Sequence, residues 1–157
     1  MSNGPRARDN IYVLGIGHPL RRDDRVGLEL VERLAAHFTG GFHGQAIYEM
    51  DVGLSETLAG YEHLLVIDAA VPGSITTPYA TFPLATKETD SFPSGFLTHI
   101  FDWGFLLGIT LELHGKAPKA ELVAVATEDC GIGEALSNTC AQHADAAYSH
   151  LLAVLIN

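Results

Sequence analysis

The chain has 157 residues, of which 47% are hydrophobic, and a mean hydropathy of +0.17. That suffices for a single domain, 1–157, with a real core. Nineteen acids against nine bases give a net charge of −10, which argues against nucleic acid or an anionic membrane as the main partner.

Residues 1–10 are polar and read as a flexible lead-in rather than a signal peptide. The apolar stretch at 103–113 is too short to span a bilayer, so the expectation is a cytoplasmic protein. Cys130 and Cys140 are too few for a disulfide framework and read as free thiols.

Residues 11–34, IYVLGIGHPLRRDDRVGLELVERL, carry the most information. A strand over 11–16 breaks at Gly15 and Gly17. A polar loop with the adjacent acids Asp23 and Asp24 follows. A helix over 25–38 comes next, with Val26, Leu30, Val31 and Leu34 at helical spacing. Asp23 or Asp24 is placed to cap its start. Residues 45–50 read as a second strand and 54–59 as a short helix. The run HLLVIDAA at 63–70 is a strand buried on both faces.

A loop with Pro72, Gly73 and Pro78 leads into an alternating edge strand at 79–85, read as antiparallel. The Ser/Pro-rich connection 86–95 reads as mobile. A long helix follows at 97–113, then a buried strand at 120–126, a turn, and an amphipathic helix over 134–156. Strands alternating with helices imply a three-layer α/β/α domain whose central sheet of about five strands is mostly parallel.

Two glycines at 15 and 17 suggest a dinucleotide fingerprint, but position 20 is Leu20 and Gly27 lies inside the helix. Carboxylates would also stand where a pyrophosphate docks on a helix N-terminus. A Rossmann nucleotide site does not fit.

Asp68 closes the apolar run of strand 63–70. One reading is a cap on the next loop. The other draws on Asp23 and Asp24 and on the parallel arrangement, by which both strands deliver their acids to the rim where ligands bind in open α/β sheets. Asp51, after the second strand, is a further candidate for that rim. His99 begins the helix at 97–113. Two carboxylates and one imidazole make a mixed O/N set suited to zinc, nickel or similar ions. The cluster Arg21, Arg22 and Arg25 reads either as part of a mixed-charge site or as a solvated loop. Cys130 has no neighbouring histidine base in sequence, and no serine sits in a nucleophile elbow. His63, His143 and His150 read as surface residues.

In this order, the residues resemble the [NiFe]-hydrogenase maturation endopeptidases. The family opens with a strand, a Gly-x-Gly-Asn, an acidic pair, a glycine and a helix; here the stretch stands as VLGIGHPLRRDDRVG. The resemblance matches Asp24 to the family's first metal-binding carboxylate, Asp68 to the second and His99, in FLTHIFDWGFLL, to its histidine. The stretch LVAVATEDCGIGEALS resembles the family's last strand and the turn into its final helix. Two positions depart: His18 stands where the family has asparagine, and Arg25 where it has glycine. His18 brings an imidazole to the loop, and Arg25 a positive charge beside Asp24.

The resemblance implies an endopeptidase, of aspartic or metal-dependent type, that removes the C-terminal extension of a hydrogenase large-subunit precursor. Nickel already carried by that precursor would be the recognition device, contacted by Asp24, Asp68 and His99. No permanent cofactor is implied, and the chain has no HExxH zinc helix. Ligand carboxylates must be ionised and the imidazole neutral, so recognition should weaken as the histidine protonates. Two other readings use the same rim: a metal-dependent hydrolase of a small substrate, and a non-catalytic maturation or binding protein.

Overall fold

The structure is a computed structural model that describes residues 4–85, 96–97 and 102–156. Five strands form one sheet: β1 (Ile11–Ile16), β2 (His43–Ile47), β3 (His63–Ala70), β4 (Tyr79–Leu84) and β5 (Lys119–Ala126). Their spatial order is β2-β1-β3-β5-β4, with only β4 antiparallel. Among the described residues four helices flank the sheet: α1 (Val26–His37), α2 (Leu54–Leu58), α3 (Trp103–His114) and α4 (Asn138–Leu155). A short 3-10 turn, Arg22–Arg25, precedes α1.

The layers follow from side-chain parity. One face of the sheet (Ile11, Val13, Leu65, Ile67, Val123, Val125) packs on Leu30, Val31 and Leu34 of α1 and Ala144, Ala147 and Leu151 of α4. The other (Leu14, Ile16, Leu64, Val66, Leu122) packs on Leu54 and Leu58 of α2 and Trp103, Leu106 and Leu107 of α3. A sheet covered on both faces needs apolar residues at every position of its inner strands. Accordingly β1 is buried throughout and β3 everywhere but His63. The three-layer α/β/α reading and the antiparallel edge are therefore correct. Pro83 lies in β4, where an edge strand tolerates the missing N–H.

Four details differ from the sequence reading. The second strand begins at His43, not at 45, because its register is set by β1: Tyr12 pairs with His43 and Ile16 with Ile47. Residue 97 is not helical. Leu97 forms an isolated bridge with Ala70, Phe96 O accepts from Val71 N–H, and α3 begins only at Trp103 with Asp102 as its cap. The last helix starts at Asn138 rather than 134, because Ser137 caps it by accepting from Cys140 N–H. The lead-in is also laid down on the core from residue 4. Ala7 is buried and donates its N–H to Gly40 O, while Arg8 N–H goes to Leu155 O.

Among the described residues no helix is long and apolar enough to cross a membrane.

Candidate active site

The chain runs from β1 out to β2 on one side and returns to β3 on the other. The gap beyond the C-terminal ends of β1 and β3 is thus the topological switch point, the usual ligand crevice of an open α/β sheet. Asp24 follows β1 and Asp68 lies near the end of β3, so the two candidate carboxylates stand at the two sides of that crevice. Both are fully buried, at 0% and 1% exposure. Ionisable side chains are rarely found that deep unless held by partners or by function.

Close backbone packing brings the acid-bearing turn down onto the sheet. A Cβ on Gly15 would collide with the carbonyl of Gly27, and one on Gly27 with the carbonyl of Ile16 and, at 2.7 Å, that of Ile67. A Cβ on Gly17 would come within 2.7 Å of Asp24 O. The glycines of the opening motif thus serve strand–helix contact rather than a phosphate. His18 N–H donates to Asp24 O (3.2 Å) and Asp24 N–H to Arg21 O (2.9 Å), which folds the loop back over itself.

Asp68 shares strand parity with Val66 and Ala70, which pack on the α3 side of the sheet. Its Oδ1 accepts from Ala69 N–H at 2.7 Å. β3 continues two residues past Asp68 to Ala70, so the aspartate belongs to the strand and does not cap the loop after it. Ala70 in turn pairs with Leu97. His99 lies outside the described residues.

Asp23 has a different role from its neighbour. It does not cap α1, whose N-cap is Arg25 without any side-chain bond. Its carboxylate instead accepts from the N–H groups of Glu128 (2.9 Å), Asp129 (2.8 Å) and Ser137 (2.6 Å) and from Ser137 Oγ (2.7 Å). Burial alone would raise its pKa. The hydrogen bonds from Asp129, Ser137 and Glu128 outweigh burial and hold the carboxyl below the usual range. One buried aspartate thereby ties the loop after β1 to the turn after β5.

That junction is stitched further. Arg22 N–H donates to Gly133 O, Asp23 N–H to Asp129 O and Gly133 N–H to Leu20 O, each at 3.0 Å. Arg22 also pairs with the Asp129 carboxylate. Arg22 has φ +39°, a left-handed conformation that costs about 1–2 kcal/mol outside glycine and is imposed here by the bonds on either side.

The two departures from the family pattern have structural explanations. His18 Nδ1 accepts from Leu20 N–H at 3.1 Å, the side-chain-to-backbone turn across two residues that an asparagine makes. With Nδ1 used as acceptor, a neutral ring carries its proton on Nε2. His18 therefore fastens the loop and, in this state, offers no bare nitrogen to a metal. Arg25 directs its guanidinium to Glu29 (2.9 Å) and to the carbonyls of Pro19 and Glu134.

Asp51 does not join the rim. It is exposed and its Oδ1 accepts from Gly53 N–H at 2.8 Å, a turn of its own making. His143 is not a solvated residue as its helix position suggested: it is half-buried and its Nδ1 donates to Ala126 O at 2.9 Å. Burial, with the charges of Asp24 and Asp23 adding to it, pushes the Cys130 thiol up. A thiol held protonated is a poor nucleophile. Sequence reasoning missed Ser137, whose signal was the N-cap pattern of a serine directly before a helix. It also missed Thr127, whose hydroxyl donates to Ala70 O at 2.6 Å and ties the end of β5 to that of β3. Among the described residues, no three metal-ligating side chains form a cage. Of the three candidate site residues, Asp24 and Asp68 lie among the described ones.

The same architecture occurs in solved structures. A [NiFe]-hydrogenase maturation protease, HybD, from Thermococcus kodakarensis superposes with a TM-score of 0.71 at 16% identity, over 92% of this chain and 98% of that one. The maturation protease HycI from Thermococcus kodakarensis KOD1 gives 0.70 at 18% identity, over 94% and 92%. The maturating endopeptidase HybD from E. coli gives 0.64 at 21%, over 92% and 90%. This is the hydrogenase maturation protease fold. At these identities the likeness establishes the fold alone. Compared as a sequence, the chain matches no family model and no curated protein. Within the maturation-protease fold, Asp24 and Asp68 occupy the switch point.

Proposed function

We propose that this protein is a cytoplasmic endopeptidase that removes the C-terminal extension of a nickel-loaded [NiFe]-hydrogenase large-subunit precursor. The observation that carries the reading is the pair of fully buried carboxylates, Asp24 and Asp68, at the switch point of a maturation-protease fold. Two carboxylate oxygens suit a divalent first-row ion, and an imidazole completes a set appropriate to nickel. In this reading His99 supplies that imidazole. Its support is the chain path: Leu97 is bridged to Ala70, two residues beyond Asp68, and α3 begins at Trp103 on the same face of the sheet.

The nickel belongs to the substrate. Asp24, Asp68 and His99 complete its coordination, and cleavage becomes conditional on the metal having been installed. The protein's own contribution is to hold the two carboxylates buried and fixed in position before the precursor arrives, so that little ordering remains to be done on binding.

The test is the intact mass of hydrogenase large-subunit precursors, with and without nickel, after incubation with the protein. Loss of a C-terminal peptide from the loaded form only is the expected result. Asp24→Asn and Asp68→Asn preserve shape while removing one charge each, and each should slow processing by at least the roughly 10- to 100-fold that changes around a ligand shell cost metal sites. Processing by either variant at the wild-type rate would remove these residues from the role assigned.

A further inference from the structure

The opposite end of the sheet, away from Asp24 and Asp68, holds a separate concavity. A cavity of about 340 Å³ opens where β3 and β5 begin, bounded by Pro83 of β4 and by residues 150 and 154 of α4. Its volume lies in the range of small-molecule sites. Ile11, Leu65 and Val154 give it aliphatic walls.

Its polar lining is unbalanced in sign. Arg8 and Lys119 contribute full positive charges, and His63 and His150 contribute imidazoles, against one carboxylate, Glu121. The bias runs opposite to that of the whole chain, where acids outnumber bases nineteen to nine. His63 and Lys119 are register partners on adjacent parallel strands, and basic neighbours across a strand pair repel when both are charged. Arg8 is anchored by its Nε, which donates to Ile156 O at 3.1 Å. Among the described residues His150 Nε2 finds no hydrogen-bond partner; it is buried and stands 3.9 Å from Glu121 Oε1, beyond hydrogen-bond length. A buried ring nitrogen that the described residues leave unmatched asks for a partner.

We propose that this cavity is a binding site for a small aliphatic carboxylate. The carboxylate group sits among Arg8, Lys119 and His150, and the hydrocarbon body lies on Ile11, Leu65 and Val154. A guanidinium is the natural partner of a planar carboxylate. Glu121 in the same lining disfavours ligands of higher negative charge. The site is independent of the endopeptidase reading, since it shares no residue with the crevice of Asp24 and Asp68.

Titration of the full chain with hexanoate, followed by amide NMR shifts and calorimetry, tests the assignment. Hexanol and inorganic phosphate serve as the uncharged and the non-aliphatic comparison. Saturable binding of hexanoate is expected, stronger than either comparison, with shifts centred on His63, Lys119 and His150. Lys119→Gln should weaken it by about two- to fivefold and Glu121→Gln should strengthen it by about as much, the range of a partly exposed charge pair. Both sites are at the surface, and thermal unfolding of the variants checks that the fold is intact. The proposal is overturned if hexanoate fails to saturate, if hexanol or phosphate binds equally well, if the shifts gather at Asp24 and Asp68, or if neither folded variant alters the affinity.

Discussion

Two adjacent aspartates in one short turn are both fully buried, and the bonds of Asp23 give it a structural task. Asp23 spends its carboxylate on three backbone N–H groups and the Ser137 hydroxyl, and it is structural. Asp24, next to it, is equally buried but belongs to none of those bonds. Removing the acceptor would strand buried donors, at about 1–3 kcal/mol for each such group. Asp23→Ala should therefore lower stability by about 3 kcal/mol or more, read from urea unfolding. The pH dependence has a defined sign. The folded pKa of Asp23 lies below its unfolded value, near 3.9. Its contribution is thus complete above that unfolded value and is lost as pH falls through the lower folded one. The stability gap between wild type and Asp23→Asn should narrow below about pH 4. A gap that stayed constant into acid would show that ionisation of Asp23 is not what holds the junction.

At the scale of elements, the decisive contact is that of α1 with β1 and β3. Gly27 opens this helix against the carbonyls of Ile16 and Ile67. Helix propensity alone would make Gly27→Ala stabilising by about 1 kcal/mol. The obstructing atoms are backbone and cannot swing aside, and overpacking a tight contact costs about 1–3 kcal/mol and sometimes more. The clash wins, so Gly27→Ala should lower stability by about 2 kcal/mol. Under the proposed function it should also slow processing, because the same contact packs the start of the helix that follows Asp24 onto the sheet. Unchanged urea midpoint and unchanged rate together would contradict this packing. α4 is attached differently: Ser137 caps it and binds Asp23 at once, which couples its start to the turn carrying the candidate site.

At the scale of the molecule, one sheet separates two apolar layers, and its inner strands supply side chains to both. Neither layer has a second face of its own to pack on. Unfolding is therefore expected to be a single transition. The chain has one tryptophan, Trp103, buried to 1% exposure in the α2–α3 layer. Its fluorescence should change at the same urea concentration as the far-ultraviolet circular dichroism, which reports all four helices. An earlier fluorescence transition would mean that the α3 layer detaches from an intact remainder.

Periodicity and composition determined the strands 11–16 and 63–70, the first helix, the antiparallel edge and the three-layer class. These are legible because a two-sided sheet demands continuous apolar strands and each covering helix an apolar stripe. Motif order also brought Asp24, Asp68 and His99 forward as one set. Tertiary structure alone decided that β1 and β3 are neighbours across the switch point, since strand order depends on contacts between residues distant in sequence. It alone showed that the carboxylate of Asp23, which nothing in the sequence distinguishes from its neighbour Asp24, takes its donors from residues more than a hundred positions downstream. The role of His18 was equally hidden, because a residue name does not reveal which ring nitrogen is occupied. A local pattern reports what a segment can bury; only the folded chain determines which distant donors reach a given carboxylate.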